Sequence, residues 1–252
     1  MAFTIAVAGK GGTGKTTIAA VILKIIIADK LGSALAIDAD PNSNLGEVLG
    51  ITAGTSIGEL IDSVAKNPQS VPPGMTKKDF LELEIEHSLV ENSGFDLLSM
   101  GRPEGPGCYC YANNLLRDTI GRIINQYNFC VIDNEAGMEH LSRRTTRAAD
   151  YFILVSDATV VGMHSAARIK KLADELEFKF DKTFLLINRA RDNLVLSEEL
   201  TQVHFDKIYQ LPFDDEVLDL SIKGESVFKL SKESRLLKKM EAFKRDHGFR
   251  AN

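Results

Sequence analysis

Short apolar runs rich in β-forming residues recur at 3–8, 34–37, 95–99, 129–132, 152–155, 183–187 and 207–210. Between most of them lie stretches with apolar residues at helical spacing, notably 16–30, 114–126, 140–149 and 162–177. Strands that are nearly all apolar and alternate with helices predict a single doubly wound, mostly parallel sheet, flanked by helices and buried on both faces. Right-handed crossovers then place a ligand site at the carboxyl ends of the strands. The exception is 51–107, where Pro68, Pro72-Pro73-Gly74 and the run from Gly101 to Gly107 predict a loop-rich insertion in one domain spanning 1–252.

The first strand runs straight into Gly9-Lys10-Gly11-Gly12-Thr13-Gly14-Lys15-Thr16-Thr17, and a helix follows. Gly9, Gly14, Lys15 and Thr16 satisfy G-x-x-x-x-G-K-[ST], the phosphate-binding loop of nucleotide triphosphatases. Glycines let successive amides turn inward on a phosphate, so that Gly11, Gly12, Thr13, Gly14 and Thr17 all become candidate nucleotide contacts. Lys15 supplies a point charge and the Thr16 hydroxyl can ligate Mg²⁺. The loop's amides also sit at a helix N-terminus, whose dipole favours an anion. Lys10 is not needed for that task.

Three further carboxylates fall at strand ends. Asp38 and Asp40 flank Ala39 after the second strand, and Asp133 closes the apolar strand 129–132 in the manner of a Walker B aspartate that holds Mg²⁺ through water. Gly137, just beyond it, suits a segment that rearranges when a phosphate leaves. Asn188 follows another strand, and its amide can donate and accept together, matching the edge of adenine.

The net charge of −5 argues against a nucleic-acid-coating surface. With 44% apolar and 26% charged residues the composition is that of an ordinary globular chain. The N-terminal apolar stretch is read as a strand rather than a cleavable signal, and the apolar-rich segment 18–28 is short and interrupted by Lys24. A cytoplasmic protein without membrane or nucleic-acid partners is expected. Three cysteines make no disulfide framework in such a compartment. Cys130 sits in an apolar strand and reads as core, whereas Cys108-Tyr109-Cys110 can present two thiols on one side of an extended segment. Two thiols are half of a tetrahedral soft-metal site, of the kind that selects Zn²⁺, Ni²⁺ or Cu⁺ over Mg²⁺.

With Lys10 in place, the loop resembles the deviant Walker A motif of the MinD, ParA and nitrogenase iron protein superfamily. That resemblance implies a P-loop ATPase whose Lys10 reaches across a homodimer to the partner's nucleotide. It implies that Asp40 orients the attacking water while Asp38 supports the loop and metal, and that Pro212-Phe213-Asp214 contacts the base through backbone groups. A two-fold dimer would also bring a second cysteine pair and complete S₄ coordination.

Cys108-Tyr109-Cys110, the segment 133–141 and Ser221-Ile222-Lys223-Gly224-Glu225 extend the likeness to the CooC-type ATPases. It then implies a metallochaperone that couples ATP-dependent dimerisation to nickel insertion into a client such as carbon monoxide dehydrogenase or acetyl-CoA synthase. This chain departs from the pattern after Asp133, where Asn134-Glu135 replaces the usual Asp-Met or Asp-Leu and puts an extra acid near the γ-phosphate. The alternative is a MinD/ParA-like positioning protein, whose anchor would be the stripe Leu236, Leu237, Met240 and Phe243 near the C-terminus. An iron-sulfur electron donor would need two separated cysteines per subunit, a spacing not seen here.

Overall fold

The computed structural model describes residues 1–40, 44–101, 110–134, 148–191 and 194–249, with 110–115 described by backbone alone. The strands are β1 (Phe3–Gly9), β2 (Ala34–Ala39), β3 (Val90–Asn92), β4 (Phe95–Ser99), β5 (Phe129–Asn134), β6 (Ala148–Asp157), β7 (Lys179–Ala190) and β8 (Lys207–Pro212). They form one sheet in the order β3-β4-β2-β5-β1-β6-β7-β8. Only β3 runs antiparallel to its neighbour, so the expected doubly wound, mostly parallel sheet is what the chain builds. From β1 the chain first moves towards β2 and later towards β6, which makes the carboxyl end of β1 the topological switch point.

Alternating side chains fill two layers. Ile5, Val7, Val131, Ile153 and Leu186 pack under α1 (Lys15–Ala28), while Ala6, Ala8, Phe152, Leu154 and Ile187 face α6 (Val160–Glu175) on the other side. Helix α1 is apolar around most of its circumference because α2 (Leu45–Leu49) and α9 (Arg235–His247) cover the side that the sheet does not. Leu236, Leu237, Met240 and Phe243 are all buried in this layer. The stripe that a membrane anchor would present is therefore the packing face of α9. Among the described residues no helix is long and apolar enough to cross a membrane.

Two expectations need correction. The stretch expected to be loop-rich carries α3 (Ile57–Lys66), the 3-10 turn Pro68–Ser70, α4 (Lys77–His87) and the β3–β4 pair. Its missed signal was local: Ser56 and Glu59 form a reciprocal capping box, and Ile57, Ile61 and Val64 repeat at helical spacing and are buried, the first two against α5 (Cys110–Ile124) and the sheet. The helix expected over 140–149 overruns its end, since Ala148 and Ala149 already belong to β6, pairing with Lys179 and Phe180; residues 140–147 lie outside the described set. Charged residues at the outer ends of β6 and β7, such as Asp150, Lys179 and Asp181, hid four residues of strand on each.

The capping box gives a first test. Ser56→Ala should lower the unfolding free energy by about 1 kcal/mol in urea titration, and Thr55→Ala, one residue outside the cap, should leave it unchanged.

Candidate functional site

The phosphate loop turns from the end of β1 into α1, and two of its glycines are needed for steric reasons. A Cβ on Gly9 would stand 2.2 Å from the Val155 carbonyl oxygen of β6. Gly14 has φ 92° and a Cβ there would meet Asn188 Nδ2 at 2.5 Å. Thr13 braces the turn: its hydroxyl donates to the Lys10 carbonyl at 2.8 Å, and its own carbonyl accepts from Asn188 Nδ2 at 2.9 Å. Helix α1 then starts at Lys15 with no side-chain cap and no acid in its first turn, which leaves its leading amides to an anion.

Behind the loop, the parallel register sets Ser99, Asp38, Asp133 and Val7 in one row across β4, β2, β5 and β1, on the face that α1 covers. Lys15 is buried beside this row and its Nζ pairs with Asp40 Oδ2 at 2.7 Å. Asp38 accepts from the amides of Asp40 at 3.1 Å and Leu45 at 2.9 Å, so it holds both the turn after β2 and the start of α2. Asp133 is fully buried, and among the described residues neither of its oxygens finds a hydrogen-bond partner of normal geometry. Burial pushes its carboxyl up to about 7, although Lys15 and the Thr16 hydroxyl favour the charged form. Burial likewise raises Asp38 to about 6, against the pull of its two backbone donors. A buried carboxylate lacking partners, with a threonine hydroxyl beside it, fits a hard cation, and Thr16 and Asp133 are the residues that would hold Mg²⁺.

Three of the residues expected to act on phosphate, Lys15, Asp38 and Asp40, thus meet in one cluster with Asp133. Lys10 is exposed and stands apart from them on the outer side of the loop, as do Gly11 and Gly12. The expected base residues meet elsewhere. Asn188, Pro212, Phe213 and Asp214 line one cavity of about 220 Å³ together with Thr17 and Leu236. Asn188 spends its amide on the loop and on the Arg189 N–H, which its Oδ1 accepts at 3.0 Å. The Asp214 carboxylate is a tether: it accepts from Glu216 N, from the Ser234 hydroxyl at 2.7 Å and from Leu236 N at 2.8 Å. Burial opposes the charge, yet these bonds hold its carboxyl below the usual range. Only its backbone is left for a base.

Two polar residues here escaped sequence reasoning. Ser99 is buried in the carboxylate row, its hydroxyl without a partner among the described residues, and Arg189 lines the cavity beside Asn188. Neither lies in a motif; strand register brings them in. Cys130 is fully buried in β5 as expected, and burial drives its thiol far up. Cys108 and Tyr109 lie outside the described residues, and Cys110 opens α5 with its side chain undescribed. The segment 135–141 and Gly137 within it also lie outside. Among the described residues no three His, Cys, Asp or Glu side chains are arranged to hold one metal ion between them.

A parallel sheet with a glycine-rich loop at its switch point, a buried lysine and a strand-end carboxylate defines a P-loop nucleoside triphosphatase of the doubly wound class. A family model described as an AAA domain matches residues 2–205, and the chain belongs to that family. An uncharacterised ATP-binding protein of Methanocaldococcus jannaschii is 41% identical over 241 residues, covering 94% of this chain and 95% of its own. The carbon monoxide dehydrogenase accessory protein CooC of Rhodospirillum rubrum is 30% identical over 239 residues, covering 90% of each chain. Among solved structures, a ParA family ATPase from Chlorobium tepidum TLS shares the fold with a TM-score of 0.69 at 19% identity, covering 96% of this chain and 97% of that one.

The raised carboxyls carry a pH signature. Between the unfolded value of 3.8 and the folded values of about 6 and about 7, the native protein holds protons that the unfolded chain has lost. This contribution to stability is complete below the unfolded value and disappears as pH rises through the folded ones. Without nucleotide or divalent cation, Asp133→Asn should raise the unfolding free energy by about 1–3 kcal/mol at pH 8 and by much less at pH 5. Equal effects at both pH values in urea titration would contradict a buried, proton-binding Asp133.

Proposed function

We propose that this protein is a Mg²⁺-dependent ATPase that dimerises on ATP and uses that cycle to deliver nickel to a metalloenzyme. The observation that carries the nucleotide half is the ion pair between Lys15 and Asp40 beside the unpartnered Asp133. Lys15 is held by Asp40. Triphosphate competes for that ammonium, and once Lys15 turns to the phosphate, Asp40 Oδ2 is placed to accept a proton of the attacking water and hold it in line. Asp38 keeps the turn that carries Asp40 in register through its bonds to Asp40 N and Leu45 N. Mg²⁺ at Thr16 and Asp133 would supply charge neutralisation to the phosphates. The ATP-binding name of the archaeal relative supports adenine as the base.

The delivery half rests on Cys108 and Cys110 and on the likeness to the carbon monoxide dehydrogenase accessory protein across 90% of both chains. Two pairs of thiolates across a two-fold axis offer the soft tetrahedral site that suits Ni²⁺ cargo or a bracing Zn²⁺. ATP closes the dimer and hydrolysis opens it, and a different metal affinity in the two states couples the cycle to release into a client such as carbon monoxide dehydrogenase or acetyl-CoA synthase. A MinD/ParA-like positioning role has less support, because the face of α9 that would anchor it is buried against the sheet layer.

Anaerobic titration of nickel and zinc, with mass measured alongside, should give one metal per two chains, lost in Cys108→Ser/Cys110→Ser. One metal per monomer, indifferent to those substitutions, would defeat the delivery reading. Lys10→Ala should keep ATP affinity within about twofold, because uniform binding is untouched, while losing ATP-driven dimerisation and turnover. Turnover at the wild-type rate would rule out a lysine acting across the subunits.

A further inference from the structure

The pairing of β7 with β8 slips by one residue beside the base cavity. Ile187 pairs with Gln210 and Ala190 with Pro212, so β7 spends one residue more than β8 over this step. Arg189 lies in that bulge and has φ 54°, a left-handed conformation that residues other than glycine and asparagine adopt at a cost. The strain is held from both sides of the site: Asn188 Oδ1 accepts the Arg189 N–H at 3.0 Å while Asn188 Nδ2 bonds the Thr13 carbonyl of the phosphate loop. A backbone outlier pinned in this way to a ligand loop aims its side chain.

The Arg189 side chain is exposed and lines the cavity that also holds Pro212, Phe213 and Asn188. Among the described residues its side chain makes one bond, at the outer limit of hydrogen bonding, from Nη1 to the Gly12 carbonyl at 3.5 Å. A planar guanidinium so lightly held, across a cavity with Pro212, Phe213, Val217 and Leu218 in its walls, suits a flat aromatic ring. Phosphate charge is already met by Lys15 at the other end of the loop.

We propose that Arg189 is a base-clamping residue, its guanidinium stacking on the nucleobase held in the cavity with Phe213 and thereby setting preference for a purine nucleotide. The proposal rests on the nucleotide reading above and adds to it a residue that governs the base and not the phosphates. Arg189→Gly suits a φ of 54° and should leave the thermal midpoint unchanged or higher, so that loss of binding is not loss of fold. By calorimetry with Mg²⁺, it should weaken ATP binding about tenfold and leave tripolyphosphate binding unchanged. Arg189→Lys, which keeps the charge but not the plane, should recover no more than about a third of that loss on a logarithmic scale.

Wild-type ATP affinity in Arg189→Gly would overturn the clamp. So would an equal loss for tripolyphosphate, or full recovery with lysine, since both mean a phosphate contact. Should the wild type bind tripolyphosphate as tightly as ATP, the clamp falls while the phosphate loop stands. If it binds neither, the nucleotide reading itself has failed.

Discussion

One buried ammonium faces three carboxylates at the carboxyl edge of the sheet. Lys15 pairs with Asp40, and Asp38 and Asp133 lie on the adjoining row of strands. Such a cluster is short of positive charge, and burial answers the shortage by raising two of the three acids towards neutrality. The rest of the fold serves to hold that imbalance. The sheet fixes the row by parallel register, α1 brings Lys15 over it, and Asp38 ties the turn after β2 to the first amide of α2. A bound cation would offset that shortage and favour the charged form of all three carboxylates.

The base side is organised differently, by tethers between distant segments. Asn188 bonds the phosphate loop, and Asp214 bonds both its own helix, α8 (Asp215–Lys223), and the first turn of α9. Leu236, in that same turn, closes the cavity wall. Helix α9 is thus joined at one end to the cavity that Asn188, Phe213 and Leu236 line. At its other end Tyr209 bonds Asp246 and His247, and Tyr151 bonds the carbonyls of His247 and Gly248. Helix α9 is therefore tied at both ends, with the aromatic cluster of Phe184, Tyr209 and Phe243 as its bed.

Much of this was legible in the chain because the strands are short, apolar and punctuated by glycine and aspartate. The phosphate loop, the acids after β2 and β5 and the core role of Cys130 could each be read locally. What was not legible had a physical cause in each case. The helices of 57–87 were obscured by prolines and by charge on their exposed faces, although the Ser56–Glu59 box announced the first of them. The outer turns of β6 and β7 are polar where the sheet meets solvent, so no apolar run marks them.

By itself, the order of residues determined the class of fold and the phosphate loop with its extra lysine, because each depends on neighbours a few positions apart. Only tertiary structure decided that Lys15 rests on Asp40, that the Asp133 oxygens find no hydrogen-bond partner among the described residues, that the Asp214 carboxylate belongs to α9, and that Arg189 lines one cavity with Asn188 and Phe213. Those outcomes follow from strand register and from the burial of charge, and both are properties of segments brought together from distant parts of the chain.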